Sequence, residues 1–302
     1  MIRRPYKLPA WLRLLRPEQW TKNALVAVAF FFAYCDPSQG LRGNGWRPFL
    51  AAFAAMALFT MLSSGVYAFN DLRDRVRDRL HPVKRLRPVA SGEISPRAAL
   101  AVAICLALGS VAIAAFISIP LAVVLLAYAM LQLLYTLKLK RLPLVDVFVI
   151  AFGFVLRAVA GVAVVNARIS PWLLLCTFLL ALFLALCKRR QEKATRRTEE
   201  QRPSIRSYDI PLLDSLISVA AAATIISYSL YTLSAETAGR FGTPLLWLTV
   251  PVVVFGVFRY MHLVHTSGEG ERPERVLLTD KGIIATVAIY AAVAAAVLFL
   301  GR

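Results

Sequence analysis

The densest run of side chains able to do chemistry is NDLRDRVRDRLHPVKRLRPVASG, residues 70–92. Asn70, Asp74 and Asp78 recur every four residues, so on a helix they stack along one face, with Asp71 beside it. Acids crowded in this way repel one another unless a cation sits among them. An all-oxygen set suits a hard ion, and Mg²⁺ usually completes its shell with water and phosphate oxygens. The spacing therefore points to a Mg²⁺–diphosphate site with Asn70, Asp74 and Asp78 as metal ligands. His81, Lys84, Arg85 and Arg87 follow, then Pro88 and Gly92. Fixed cations such as Lys84 and Arg87 would hold further phosphate oxygens, Arg as a planar fork and Lys as a point charge. A competing reading is a solvated loop in which the acids pair with Arg73, Arg75, Arg77 and Arg79; it leaves the common face unexplained. For any one downstream cation, topology or contact with anionic lipid is an equal alternative.

The elements that must carry these residues are membrane helices. Of 302 residues, 59% are hydrophobic, mean hydropathy is +0.64, and the apolar residues come in runs near the length needed to cross a bilayer. Spanning helices are expected near 20–36, 47–70, 97–117, 119–138, 143–165, 170–188, 211–234, 243–262 and 281–300. This is a nine-helix, all-α polytopic bundle forming a single membrane domain over 1–302. Residues 1–19 form an interfacial segment, with Trp11, Leu12, Leu14 and Leu15 set against Arg13 and Arg16. Pro5 and Pro9 break the basic N-terminus and no small-residue cleavage site follows, so no cleavable signal peptide is expected.

The net charge of +18 does not make a nucleic-acid surface, because the basic residues sit in short loops between apolar runs. Of 35 Lys and Arg, 29 fall on one side, five on the other, and Arg157 lies within a helix. That bias puts the N-terminus and the loops near 71–97, 138–142, 189–210 and 263–280 in the cytoplasm, in a multi-pass protein of the inner (plasma) membrane. Cys35, Cys105, Cys176 and Cys187 form no C-x-x-C and read as small apolar side chains.

At this point the sequence resembles a known group. N-D-x-x-D-x-x-x-D followed by R-P-x-A-S-G is similar to the first Asp-rich motif of the UbiA superfamily of intramembrane prenyltransferases, and Tyr135 and Lys138 in YTLKLKR resemble that family's loop after the fourth helix, where a basic residue faces the diphosphate. RPEQWTKN (16–23), HPVKRLRP (81–88), VDVFVIAFGFVLRAVAG (145–161) and CKRRQE (187–192) resemble the branch of decaprenyl-phosphate phosphoribosyltransferases. That resemblance implies 5-phosphoribosyl diphosphate and a polyprenyl phosphate as substrates, Mg²⁺ as cofactor, and diphosphate as a product. It adds Lys22, Asn23, Lys84, Arg87, Tyr135, Lys138, Asp146, Arg157, Lys188, Arg189 and Asp214 as candidate substrate contacts, beside Asp74, Asp78, Lys84 and Arg87 as the catalytic set. A homo-oligomer is one expected state of such a bundle.

One departure is informative. Aromatic prenyltransferases of the superfamily carry a second D-x-x-x-D motif, whereas YDIPLLD (208–214) spaces Asp209 and Asp214 five apart. This weighs against the alternative, transfer of a prenyl group from a prenyl diphosphate to a small aromatic acceptor. A non-enzymatic anion transporter is disfavoured because the polar residues gather at one membrane face rather than the midplane. Asp209 reads equally as a helix N-cap ahead of Pro211. Arg157 would hold a lipid phosphate or pair with Asp146. His262 and His265 would form a metal pair or, more simply, an interfacial patch. Glu269, Glu271, Glu274 and Asp280 form an acidic loop, solvated or covering the site.

Overall fold

Serine and proline punctuate the apolar runs, and helices begin where they stand. Ser95 accepts from the Ala98 amide ahead of Pro96, and Ser118 accepts from the Leu121 amide ahead of Pro120. Each pair supplies an N-cap and a first-turn proline with no amide to satisfy. The computed structural model describes residues 8–194, 203–266, 276 and 279–300, and all regular elements among them are helical. They are α1 (Ala10–Leu15), α2 (Ala24–Cys35), α3 (Arg47–Arg79), α4 (Pro96–Ile117), α5 (Ile119–Leu137), α6 (Val145–Ala163), α7 (Pro171–Ala194), α8 (Pro203–Arg206), α9 (Ile210–Leu233), α10 (Ala235–Phe241), α11 (Val250–Thr266) and α12 (Lys281–Leu300). Short 3₁₀ turns at Pro17–Asn23 and Leu139–Arg141 flank the site.

Eight segments among the described residues are long and apolar enough to cross a membrane, namely α3 to α7, α9, α12 and Leu245–Thr266, in which a 3₁₀ turn runs into α11. The chain is a multi-pass membrane protein. The ninth expected span, near 20–36, is a 3₁₀ turn followed by a 12-residue α-helix, α2, which falls below that length. Its place in the bundle is nonetheless fixed by close backbone contact. A Cβ on Gly161 of α6 would stand 2.0 Å from the Val26 carbonyl oxygen of α2. Small residues permit this approach where apolar burial supplies little drive between helices in lipid.

α6 is the central helix. Over half of its membrane window is buried, against 17% for α4 at the periphery. One face packs in a core with Val26, Phe59, Leu62 and Leu125; the other contributes Val147 to a core with Phe183, Leu213, Ile217 and Tyr260. Ionisable groups placed on α6 are therefore enclosed by protein. α3 has 33 residues and a length of about 50 Å, against about 30 Å of hydrocarbon. The excess carries Asn70–Arg79 out of the apolar layer. α1 docks there, with Leu14 buried against Ala68, Val89 and Ile94.

Candidate active site

The C-terminal end of α3 presents Asn70, Asp71, Asp74 and Asp78 as one continuous helical stretch, as the four-residue spacing requires. Each of these groups is met by a partner from a different element. Arg16, between α1 and the first 3₁₀ turn, donates to Asp71. Arg87 bridges Asp71 at 3.2 Å and Asp78 at 2.7 Å from the loop after α3. Lys140, from the turn after α5, donates to both Asp74 oxygens at 2.8 and 3.1 Å. Thr136 of α5 donates to the Asn70 amide oxygen. The alternative of a loop neutralised by Arg73, Arg75, Arg77 and Arg79 is overturned: the cations on the acids come from outside α3, and Arg79 instead donates to the Ala90 carbonyl.

Local geometry makes these contacts. Arg16 occupies the left-handed region (φ 53°), which caps α1 and turns its side chain back toward α3. A non-glycine residue there is strained, and the ion pair with buried Asp71 offsets the cost. Burial alone would lower the Arg16 pKa, but Asp71, with Tyr67 and Glu18, outweighs it and holds the guanidinium above its usual value. His81 Nδ1 accepts from the Val83 and Lys84 amides at 3.0 and 3.1 Å, closing the turn that presents Lys84 and Arg87. Lys84 and Lys22 are half-buried; Lys22 donates to Gln19.

A second polar cluster lies beneath the loops at the start of α6. Asp146 is fully buried and accepts from Arg189 Nε at 2.7 Å and from the Tyr208 hydroxyl at 2.8 Å, with the Ser204 hydroxyl at 3.4 Å. Arg189, also buried, donates to Glu192 as well. Burial and the Asp146 charge push the Tyr208 phenol well above its usual pKa, so it remains a donor. The same hydroxyl accepts from the Leu144 amide at 2.6 Å, supporting a residue held at φ 63°. Ser204 also donates to the Lys140 carbonyl, so this cluster fixes the turn that delivers Lys140 to Asp74.

The remaining sequence-identified residues divide clearly. The expectation that Arg157 pairs with Asp146 is corrected: Asp146 takes Arg189, while Arg157 donates to Asn23, Gly153 and Tyr128. Tyr135 is buried at the end of α5 and Lys188 half-buried on α7. The Lys138 side chain is exposed and makes no polar contact among the described residues. Asp214 is not brought to the α3 acids; its partners are Arg190 and His265, near the C-terminal ends of α7 and α11. Asp209 stands at the N-cap position of α9 without a side-chain capping bond. Asp280 pairs with Arg259 at 2.8 Å, whereas Glu269, Glu271 and Glu274 lie outside the described residues. His265 is engaged by Asp214 and does not pair with His262; among the described residues no three His, Cys, Asp or Glu converge on a metal. Asn70, Asp74 and Asp78 thus do not form a protein cage. As an oxygen set on one face, with cations at hand for phosphate, they fit a Mg²⁺ whose shell is shared with a bound diphosphate. Arg16, Thr136, Lys140 and Tyr208 were not singled out by spacing.

Fold and site define a multi-pass helical protein with an acidic helix end encircled by cationic loops. The UbiA prenyltransferase family matches residues 24–279, and the chain belongs to it. It is 31% identical over 278 residues to a decaprenyl-phosphate phosphoribosyltransferase of Mycolicibacterium smegmatis, spanning 89% of this chain and 86% of the relative. It is 33% identical over 276 residues to the Corynebacterium glutamicum protein of that name, spanning 89% and 81%. A UbiA homolog from Archaeoglobus fulgidus, solved bound to GPP and Mg²⁺, shares the fold: its TM-score is 0.72 at 22% identity, covering 96% of this chain and 99% of that one.

Proposed function

We propose that this chain transfers a 5-phosphoribosyl group from 5-phosphoribosyl diphosphate to a polyprenyl phosphate of the decaprenyl type, releasing diphosphate. The observation that carries the reading is the α3 face of Asn70, Asp74 and Asp78, met by Arg87 and Lys140 from two separate loops. That arrangement suits a leaving diphosphate, and the names of the curated relatives supply the donor and acceptor. The engagement of Asp214 by Arg190 and His265 supports a single diphosphate site rather than a second acidic motif.

A lipid phosphate oxygen attacks the anomeric carbon of the ribose while the bond from that carbon to the diphosphate oxygen breaks, inverting the centre. The attacking phosphate monoester has a second pKa near 6 and is largely dianionic, so no side chain need remove a proton. Asn70, Asp74 and Asp78 would hold Mg²⁺, which when bound supplies charge that neutralises the leaving group. Arg87, Lys84 and Lys140, with Lys22, bind phosphate oxygens and are preorganised where negative charge develops. Asp146, Arg189 and Tyr208 position the Lys140 turn. The 29-to-five charge bias supports a cytoplasmic site in a single-domain protein of the plasma membrane. The test is a detergent preparation given radiolabelled 5-phosphoribosyl diphosphate and a polyprenyl phosphate. Label is expected in the organic phase only with both substrates, and not after EDTA; label that stays aqueous at every lipid length overturns the reading.

A further inference from the structure

Arg13 lies on α1, away from the acidic face, yet its guanidinium reaches the loop that presents Arg87. That loop runs from Leu80 to Ser95, between α3 and α4. Its two halves differ. Pro82, Val83 and Arg85 are exposed, whereas Pro88, Val89 and Ala90 are buried. Arg87 stands at the junction. Its amide donates to the Lys84 carbonyl at 2.9 Å, and its carbonyl accepts from the Ser91 amide at 2.8 Å. These local bonds shape the turn without setting where it stands relative to α3. Two arginines from outside the loop do that. Arg79 Nε donates to the Ala90 carbonyl at 3.1 Å, three residues after Arg87. Arg13 Nη1 donates at 3.1 Å to the Leu86 carbonyl, which belongs to the peptide entering Arg87. Arg13 Nη2 pairs with Glu93, whose other oxygen accepts from the Ser91 hydroxyl at 3.0 Å. Gly92, at φ 84°, supplies the left-handed turn just before Glu93. One planar fork thus ties both ends of residues 86–93 to α1. The neighbouring Leu14 is buried against Val89 and Ile94, so apolar packing fixes the distance across which Arg13 reaches.

α1 bears on Arg87 at a second point. Arg16, three residues on, donates to the same Asp71 oxygen that Arg87 Nη1 approaches at 3.2 Å. That Arg87 nitrogen also reaches Asp78 at 2.7 Å, two turns further along α3. A single nitrogen spanning two carboxylates tolerates little movement: a displacement of about 1 Å takes one of them out of hydrogen-bond range. Where that nitrogen stands depends on where the Arg87 main chain begins, and Arg13 holds the peptide in front of it. Arg13 itself meets no α3 carboxylate among the described residues.

Resting on the reading of Arg87 as a diphosphate contact, we infer that Arg13 is a positioning residue for the diphosphate site. It acts through Arg87. By fixing the Leu86 carbonyl and Glu93, it keeps the Arg87 guanidinium over Asp71 and Asp78 before the ligand arrives, so that binding requires no reorganisation of the loop. Without the fork, the exposed half of the loop is free to carry Arg87 away from the acids.

The experiment is a double-mutant cycle on affinity for inorganic diphosphate with Mg²⁺, in the full-length protein in detergent. Arg13→Gln removes the fork and Arg87→Gln removes the contact. Arg13→Gln should weaken diphosphate binding by about tenfold when Arg87 is present, and by less than about twofold in the Arg87→Gln background. Arg13→Lys keeps the charge without the planar fork and should lose about threefold, again only with Arg87 present; it reads the same coupling where Arg13→Gln yields no folded protein. Equal losses in the two backgrounds overturn the inference, because they mark Arg13 as acting on the fold as a whole or through its charge alone. Parent-like affinity in folded Arg13→Gln overturns it as well. Parent-like affinity in Arg87→Gln instead overturns the diphosphate reading of Arg87 on which the inference rests.

Discussion

Lys140 and Lys138 lie two residues apart, and the structure separates them sharply. Lys140 is 12% exposed and grips both oxygens of Asp74, whereas the Lys138 side chain is exposed without a polar contact among the described residues. Replacing each by Met therefore tests the site's construction. A unit charge acting over about 4 Å at an effective dielectric of about 20 amounts to about 4 kcal/mol. Residual solvent at Lys140 reduces this to about 3 kcal/mol, so Lys140→Met should lower kcat by about 100-fold. Stability should barely change, because Asp74 is 31% exposed and such pairs contribute about 0–1 kcal/mol. Lys138→Met should change kcat less than about threefold, as surface charges do. Initial rates of label transfer to lipid, with thermal midpoints measured on the same preparations, decide the matter. A large loss in Lys138→Met with near-parent turnover in Lys140→Met would refute the assembly of the site around the Lys140–Asp74 pair.

Asp74→Asn should lower turnover by about 1,000-fold even at saturating Mg²⁺ while the protein still folds; near-normal rates in a Mg²⁺ titration would remove Asp74 from the metal set. Gly161→Ala should eliminate folded protein, because its Cβ would meet the Val26 backbone at 2.0 Å, and recovery of a parent-like elution profile in detergent would contradict the α2–α6 contact. Asp280 is held below the usual carboxylate range by its hydrogen bond to Arg259 and by the Ile283 amide. Its stabilising contribution is present above the ordinary Asp pKa and lost as pH falls through the lowered one. Asp280→Asn should accordingly flatten the thermal-midpoint profile below about pH 4, and an unchanged acid limb would count against the pair.

The helical class and eight of the spans are legible in the sequence because a bilayer demands long apolar runs. The Asp face is legible because a helix repeats every 3.6 residues, so the spacing of Asn70, Asp74 and Asp78 alone puts them on one side. Their partners are not legible in this way. The choice of Lys140 over Lys138 depends on how the chain turns after α5 ends at Leu137, where helical periodicity no longer applies. Arg16 reaches Asp71 through a left-handed residue that no spacing rule anticipates. Arg157 is recognisable as a buried charge, but its expected partner Asp146 lies 11 positions away on the same helix, about three turns off, where it meets Arg189 instead. The 20–36 segment resembles a span because most of it is apolar, yet its first residues wind into a 3₁₀ turn and leave α2 with only 12 residues.

The most direct measurement is a competition. The purified protein with Mg²⁺ receives 5-phosphoribosyl diphosphate and a prenyl diphosphate together, alongside a polyprenyl phosphate and an aromatic acid acceptor, and the lipid products are identified by mass. Polyprenyl-phosphoryl-phosphoribose as the sole new lipid is the expected result. A prenylated aromatic, with the polyprenyl phosphate untouched, would contradict phosphoribosyl transfer.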